Sequence, residues 1–251
     1  MAEHKARISC LASGNGTNVQ ALIDACASGT IAGTIIKVTV NKKEAYAATR
    51  AENAQPPIPT DYFNLVKHGF LTAGEKDPQK VKDARFNYDT ALAERILADK
   101  PDLIVLAGWM HVMSTGFLNP VATAGVPIIN LHPALQGLLL GQRYCYIIAP
   151  VKQANRGANP QTARGGPAIK RAYDDFKAGK LENGITGIMI HYVVEAVDRG
   201  APIITQKIQI QESESLEDLE QRMHGYEHEL IVKATALLAQ KIVSAKTSAT
   251  S

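Results

Sequence analysis

An α/β fold is predicted for this 251-residue chain: an open, mainly parallel sheet with helices on both faces. Three observations predict it. The apolar run at residues 7–12 meets the turn Ser13-Gly14-Asn15-Gly16-Thr17-Asn18, after which Val19, Leu22, Ala25 and Cys26 recur at helical spacing. A second strand-then-helix pair follows directly, and such alternation implies parallel strands joined by crossovers. Late in the chain, the runs at 187–194 and 202–210 flank Asp198-Arg199-Gly200, a turn signal, and read as a β-hairpin.

The elements follow in order. Residues 34–40, TIIKVTV, form the second strand, and the alanine-rich 44–53 form a helix. Residues 55–78, with Pro56, Pro57, Pro59 and Pro78, are expected to be irregular. A helix is predicted over 87–99, and Pro101-Asp102 leads into the fully apolar strand 103–106. Another strand is predicted over 126–131. Ser215 starts a long last helix with acids in its first turn and one apolar face, Leu216, Leu219, Met223, Tyr226 and Leu230. The small polar residues from Ser244 onward are expected to be disordered. The whole reads as one domain over 1–243, with a phosphate-binding half to about residue 100 and a second half beyond it. Residues 137–167 fit neither half and stand as an atypical insertion.

Bulk chemistry narrows the function. Twenty-seven basic residues against 24 acidic ones give a net charge of only +3, with no long basic run, so nucleic acid is not the expected partner. Cys10, Cys26 and Cys145 are sparse and form no C-x-x-C pair, which points to a reducing compartment and away from a structural zinc site. The first residues lack the apolar core of a signal peptide, and no apolar run is long enough to span a membrane, so a cytoplasmic protein is expected.

Four places carry chemistry. The glycine turn ends a strand and opens a helix, where unpaired backbone N–H groups and the helix dipole favour an anion. Val19 stands where a dinucleotide fingerprint has its third glycine, and Asn41-Lys42-Lys43 stand where its ribose-binding acid belongs, so a single phosphate suits the loop better. A tight turn without ligand is the plain alternative. Asn130 and His132 lie at a strand's carboxyl end with side chains on one face, and Pro133 stops the strand. Such a pair can stabilise an oxyanion while the histidine moves a proton, or can simply be a capped strand end. His191 reads as a core histidine and Asp198 as turn chemistry, unless Asp198 meets His132 and favours its imidazolium form. Trp109, Met110 and Met113, after the 103–106 strand, can wall a flat aromatic ligand or be core.

Taken together, SGNGTN at 13–18, DLIVLAGWM at 102–110, INLHPAL at 129–135, the interval from His191 to Asp198 and GYEHELI at 225–231 resemble the phosphoribosylglycinamide formyltransferase family over roughly residues 6–240. The resemblance implies a Rossmann-like fold and formyl transfer from 10-formyltetrahydrofolate to glycinamide ribonucleotide in purine (IMP) synthesis, with no metal, by a monomer or homodimer. It implies that Gly16, Thr17 and Asn18 hold the phosphate and Glu227 the ribose. It places Arg85, Met110, His111, Val112, Met113 and Asn130 at the folate, with Asn130, His132 and Asp198 as the catalytic trio. The departure is local: Gln136 stands where the family has proline, and 137–167 matches no family segment. Two alternatives share these residues: a formyltetrahydrofolate hydrolase, and a nucleotide- or folate-binding protein whose catalysis the insertion has impaired.

Overall fold

The computed structural model describes residues 4–134, 166–194 and 200–249. Along the chain run β1 (Ala6–Ala12), α1 (Thr17–Ala27), β2 (Gly33–Val40), α2 (Tyr46–Glu52), β3 (Thr60–Tyr62), α3 (Pro78–Ala98) and β4 (Leu103–Leu106). Then come α4 (Thr115–Thr123), β5 (Ile128–His132), α5 (Gly166–Lys177), β6 (Ile185–Tyr192), β7 (Pro202–Gln209) and α6 (Leu216–Ala249). The strands form one seven-stranded sheet in the order β3-β2-β1-β4-β5-β6-β7. The first five are parallel, β6 runs antiparallel to β5, and β7 antiparallel to β6, so the predicted open sheet with its C-terminal hairpin and long helix is the observed one.

β4 is apolar throughout and β1 largely so, because both faces of the sheet's centre are covered. Neighbouring residues of β1 point opposite ways. Ile8 and Cys10 pack with Val19 and Leu22 of α1, Ala47 of α2 and Ile231 of α6. Leu11 joins the other core, with Tyr88 and Leu92 of α3, Phe117 of α4 and Ile104 of β4. β5 follows the same rule: Ile129 belongs to the first core and Ile128 to the second, which turns Asn130 and His132 to the α3/α4 side.

Three expectations need correction, and one helix is additional to them. The irregular stretch 55–78 contains the edge strand β3, whose residues Thr60, Asp61 and Tyr62 pair with the end of β2. α3 begins at Pro78 rather than at residue 87, because Asp77 caps it by accepting from the Gln79 and Lys80 N–H groups and proline sits well in a first helical turn. α4 went unread: Ser114 caps it, and Gly116 lets it approach α3 so closely that a Cβ there would lie 2.6 Å from the Phe86 carbonyl oxygen. The expected disordered tail is helical as far as Ala249, and Lys246 Nζ lies 2.6 Å from Asp102 Oδ2. The insertion at 137–167 lies almost wholly outside the described residues, as do Cys145 and Asp198.

Candidate active site

The chain leaves β1 toward β2 on one side and leaves β4 toward β5 on the other, so a switch point falls between β1 and β4. Loops at the carboxyl ends of such strands form a crevice. Here the loops after β1 and β4 are tied together. Ser13 N donates to the Gly108 carbonyl at 3.1 Å, and Met110 N donates to Ser13 Oγ at 2.8 Å.

On the β1 side, Gly16 has φ 74° and ends the loop as the N-cap of α1, with no side chain capping the helix. The N–H groups of the first turn, at Thr17 and Asn18, are thereby left for an anion. The loop's shape is imposed from α2. Ala47 N donates to the Gly14 carbonyl, Arg50 Nε donates to the Asn15 carbonyl at 2.9 Å, and a second Arg50 nitrogen donates to Asn15 Oδ1 at 3.0 Å. Arg50 gave no signal beyond being a lone cation in an alanine-rich helix. A Cβ on Gly16 would lie 2.5 Å from Ala47 Cα. Gly16→Ala is expected to cost on the order of 2–4 kcal/mol, from left-handed backbone strain plus overpacking. Gly14→Ala, with open space around it, is expected to be nearly neutral. Denaturant midpoints of the two variants check this contrast.

α6 lies against α1 and brings Glu227 to Asn18. Both side chains are buried, and Asn18 Oδ1 has no hydrogen-bond partner. Burial pushes the Glu227 carboxyl up to about 7, against the opposing pull of its hydrogen bond with Asn18. Its neighbour His228 is pushed down, first by burial and then by the positive charges of His224 and Arg50. The site beside the loop thus holds two imidazoles and a guanidinium that the sequence pattern alone does not single out. Their one trace in it is two histidines four apart, flanking Glu227 on one helix.

On the β5 side, antiparallel pairing sets Asn130 opposite His191. Asn130 Nδ2 lies 3.4 Å from His191 Nε2, and His191 Nδ1 lies 2.9 Å from the Tyr192 carbonyl oxygen. A carbonyl can only accept, so Nδ1 carries the proton and Nε2 accepts from the Asn130 amide. The His132 and His191 rings stand edge to face, 6.5 Å apart. All three side chains are buried. One face thus holds an amide donor, a histidine to orient it and a second histidine.

Asn130 and His191, but not His132, border a small open cleft walled by Leu106, Trp109, His111, Val112, Met113 and Val193. Met110 is 43% exposed and is not part of that wall. Its contribution is the backbone N–H on Ser13. Arg85 is exposed on α3, also outside the wall. Behind the wall stands a residue the sequence reading missed, Asp89, which accepts from the Ser114 N–H at 2.6 Å and meets His111 Nε2 at 2.6 Å.

A protein-family model described as formyl transferase matches residues 6–235. The phosphoribosylglycinamide formyltransferase of Schizosaccharomyces pombe is 37% identical over 226 residues, covering 89% of this chain and 92% of the relative. The Dictyostelium discoideum protein of the same name is 38% identical and covers 93% and 98%. Among solved structures, glycinamide ribonucleotide transformylase 1 from Geobacillus kaustophilus superimposes with a TM-score of 0.67 at 26% identity, covering 94% of this chain and 100% of that one.

Proposed function

Because the chain belongs to the formyl transferase family, we propose that it transfers the formyl group of 10-formyltetrahydrofolate to the amine of phosphoribosylglycinamide, a step of purine biosynthesis. The observation that carries this reading is a placement. A buried amide and histidine, Asn130 and His132, share one strand face on one side of the switch point, where Asn130 lines an apolar cleft, while an open helix N-terminus with a buried acid stands on the other. A flat apolar ligand and a phosphorylated one can approach the same strand ends from two directions.

The reaction joins the substrate amine nitrogen to the formyl carbon and breaks the bond between that carbon and folate N10. Its tetrahedral intermediate carries a negative oxygen. Asn130 donates an N–H to that oxygen, held in place by its bond to His191. His132 stabilises the same charge and relays the proton that leaves the amine toward N10. Asp198, outside the described residues, is assigned to assist His132. Gly16, Thr17 and Asn18 hold the phosphate through backbone N–H groups. Glu227 accepts from the ribose hydroxyls. His111, Val112 and Met113 flank the pterin, the Met110 backbone fixes the adjoining loop, and Arg85 meets the part of the folate that projects from the cleft.

An assay with both substrates tests the proposal. Formyl transfer that requires the ribonucleotide is the expected result. Formate release without it would instead identify a hydrolase, and tight binding without turnover a catalytically impaired protein.

A further inference from the structure

The Asp89 carboxylate is fully buried, and its two oxygens are used in different ways. Oδ2 accepts from the backbone N–H of Ser114, and Oδ1 lies 2.6 Å from His111 Nε2. The two contacts bracket residues 111–114, the segment that supplies His111, Val112 and Met113 to the cleft wall. The imidazole is enclosed further by two rings set edge-on to it, Tyr88 at 5.2 Å and Trp109 at 6.4 Å. Tyr88 is itself fixed, donating from its hydroxyl to the Phe63 carbonyl at 2.9 Å. A fully buried carboxylate is costly unless it is met by donors. A position that spends one on a loop rather than on another helix of the core is a device for holding that loop.

We infer that Asp89 is a positioning residue for the formyl-donor cleft. Anchored on α3, it fixes the 111–114 wall through His111 on one oxygen and the Ser114 N–H on the other, and so sets the affinity for the folate. This rests on the proposed reaction, but part of its test does not.

The informative variant is Asp89→Asn. Its amide oxygen can still accept from Ser114 N, so the backbone anchor survives. Its amide nitrogen then faces His111 Nε2 and donates where the carboxylate accepted, so the ring must change tautomer or turn. The expected result is a KM for the formyl donor raised about tenfold, equal to about 1.4 kcal/mol. The KM for the ribonucleotide should stay within about twofold. His111→Gln keeps an N–H for Asp89 but alters the wall itself, so its formyl-donor KM is expected to rise by less than that of Asp89→Asn. Trp109 is the only tryptophan in the chain and neighbours the imidazole, so its emission reads the ring directly. Asp89→Asn should change that emission, even if the parent chain proves to have no formyl-transfer activity. Should that variant fail to fold, His111→Leu removes the same contact from the other side and carries the same expected split in KM. Equal losses toward both substrates, unchanged emission in Asp89→Asn, or a His111→Gln variant as impaired as Asp89→Asn would overturn the inference.

Discussion

Replacing Asn130 or His132 by alanine is expected to lower kcat roughly a hundredfold or more. The two act on the same developing charge by different means. Asn130 supplies a preorganised N–H from a buried strand end, and losing one such donor costs about 2.7–4 kcal/mol, or two to three powers of ten in kcat. His132 adds proton transfer, which contributes about 10²–10⁴-fold. The ribonucleotide loop and Glu227 are on other elements, so KM for that substrate should change little. The double variant should fall well short of the product of the single losses, since both groups serve one intermediate. Steady-state kinetics with both substrates varied measures all of this. Near-normal turnover in both single variants sinks the assignment.

The second large effect is on stability, and it runs opposite to activity. The ordinary glutamate value is 4.5, and burial raises that of Glu227 to about 7. Below pH 4.5 the carboxyl is protonated in both the folded and the unfolded chain, and nothing is lost. Between the two values the unfolded chain ionises first, so folding weakens as pH rises. Above about pH 7 both are ionised, and the fold bears the full cost of about 3 kcal/mol. Glu227→Gln cannot ionise. It is expected to match the parent chain near pH 4.5 and to exceed its stability by about that amount near pH 8, while binding the ribonucleotide more weakly. Unfolding midpoints at the two pH values decide the matter. A difference that does not vary with pH means that Glu227 titrates as an ordinary glutamate. An acid kept at such cost in a crevice is what a ligand-facing group looks like.

The strand–loop–helix start at β1 was legible because period and glycine placement both change there, and these are local signals. The same holds for Asn130 and His132, set on one face by strand periodicity alone. β3 was not legible: three residues among prolines carry no period, and their partner is β2. Pro78 was read as a breaker, although it is the first residue of α3 once Asp77 is seen as its cap. Arg50, Asp89 and the Asn130–His191 contact escaped for a shared reason. They act on residues 35, 22 and 61 positions away, and only the packing of α2, α3 and β6 brings them there. Sequence pattern marks which residues face inward, whereas tertiary register decides whom they meet.

Helix α6 runs through 34 residues, on the order of 50 Å. Its first half carries Glu227 to the crevice. Its far end brings Lys246 to Asp102, the same carboxylate that accepts from the Arg7 N–H at the start of β1. Between those points Ile231, Ala234 and Leu238 are packed into the core beneath β1. The segment that presents the buried acid is thus tied into the core along its length. To release Glu227 by local fluctuation, the helix would have to shed core contacts along its length, which places this part of the crevice among the last regions to exchange with solvent.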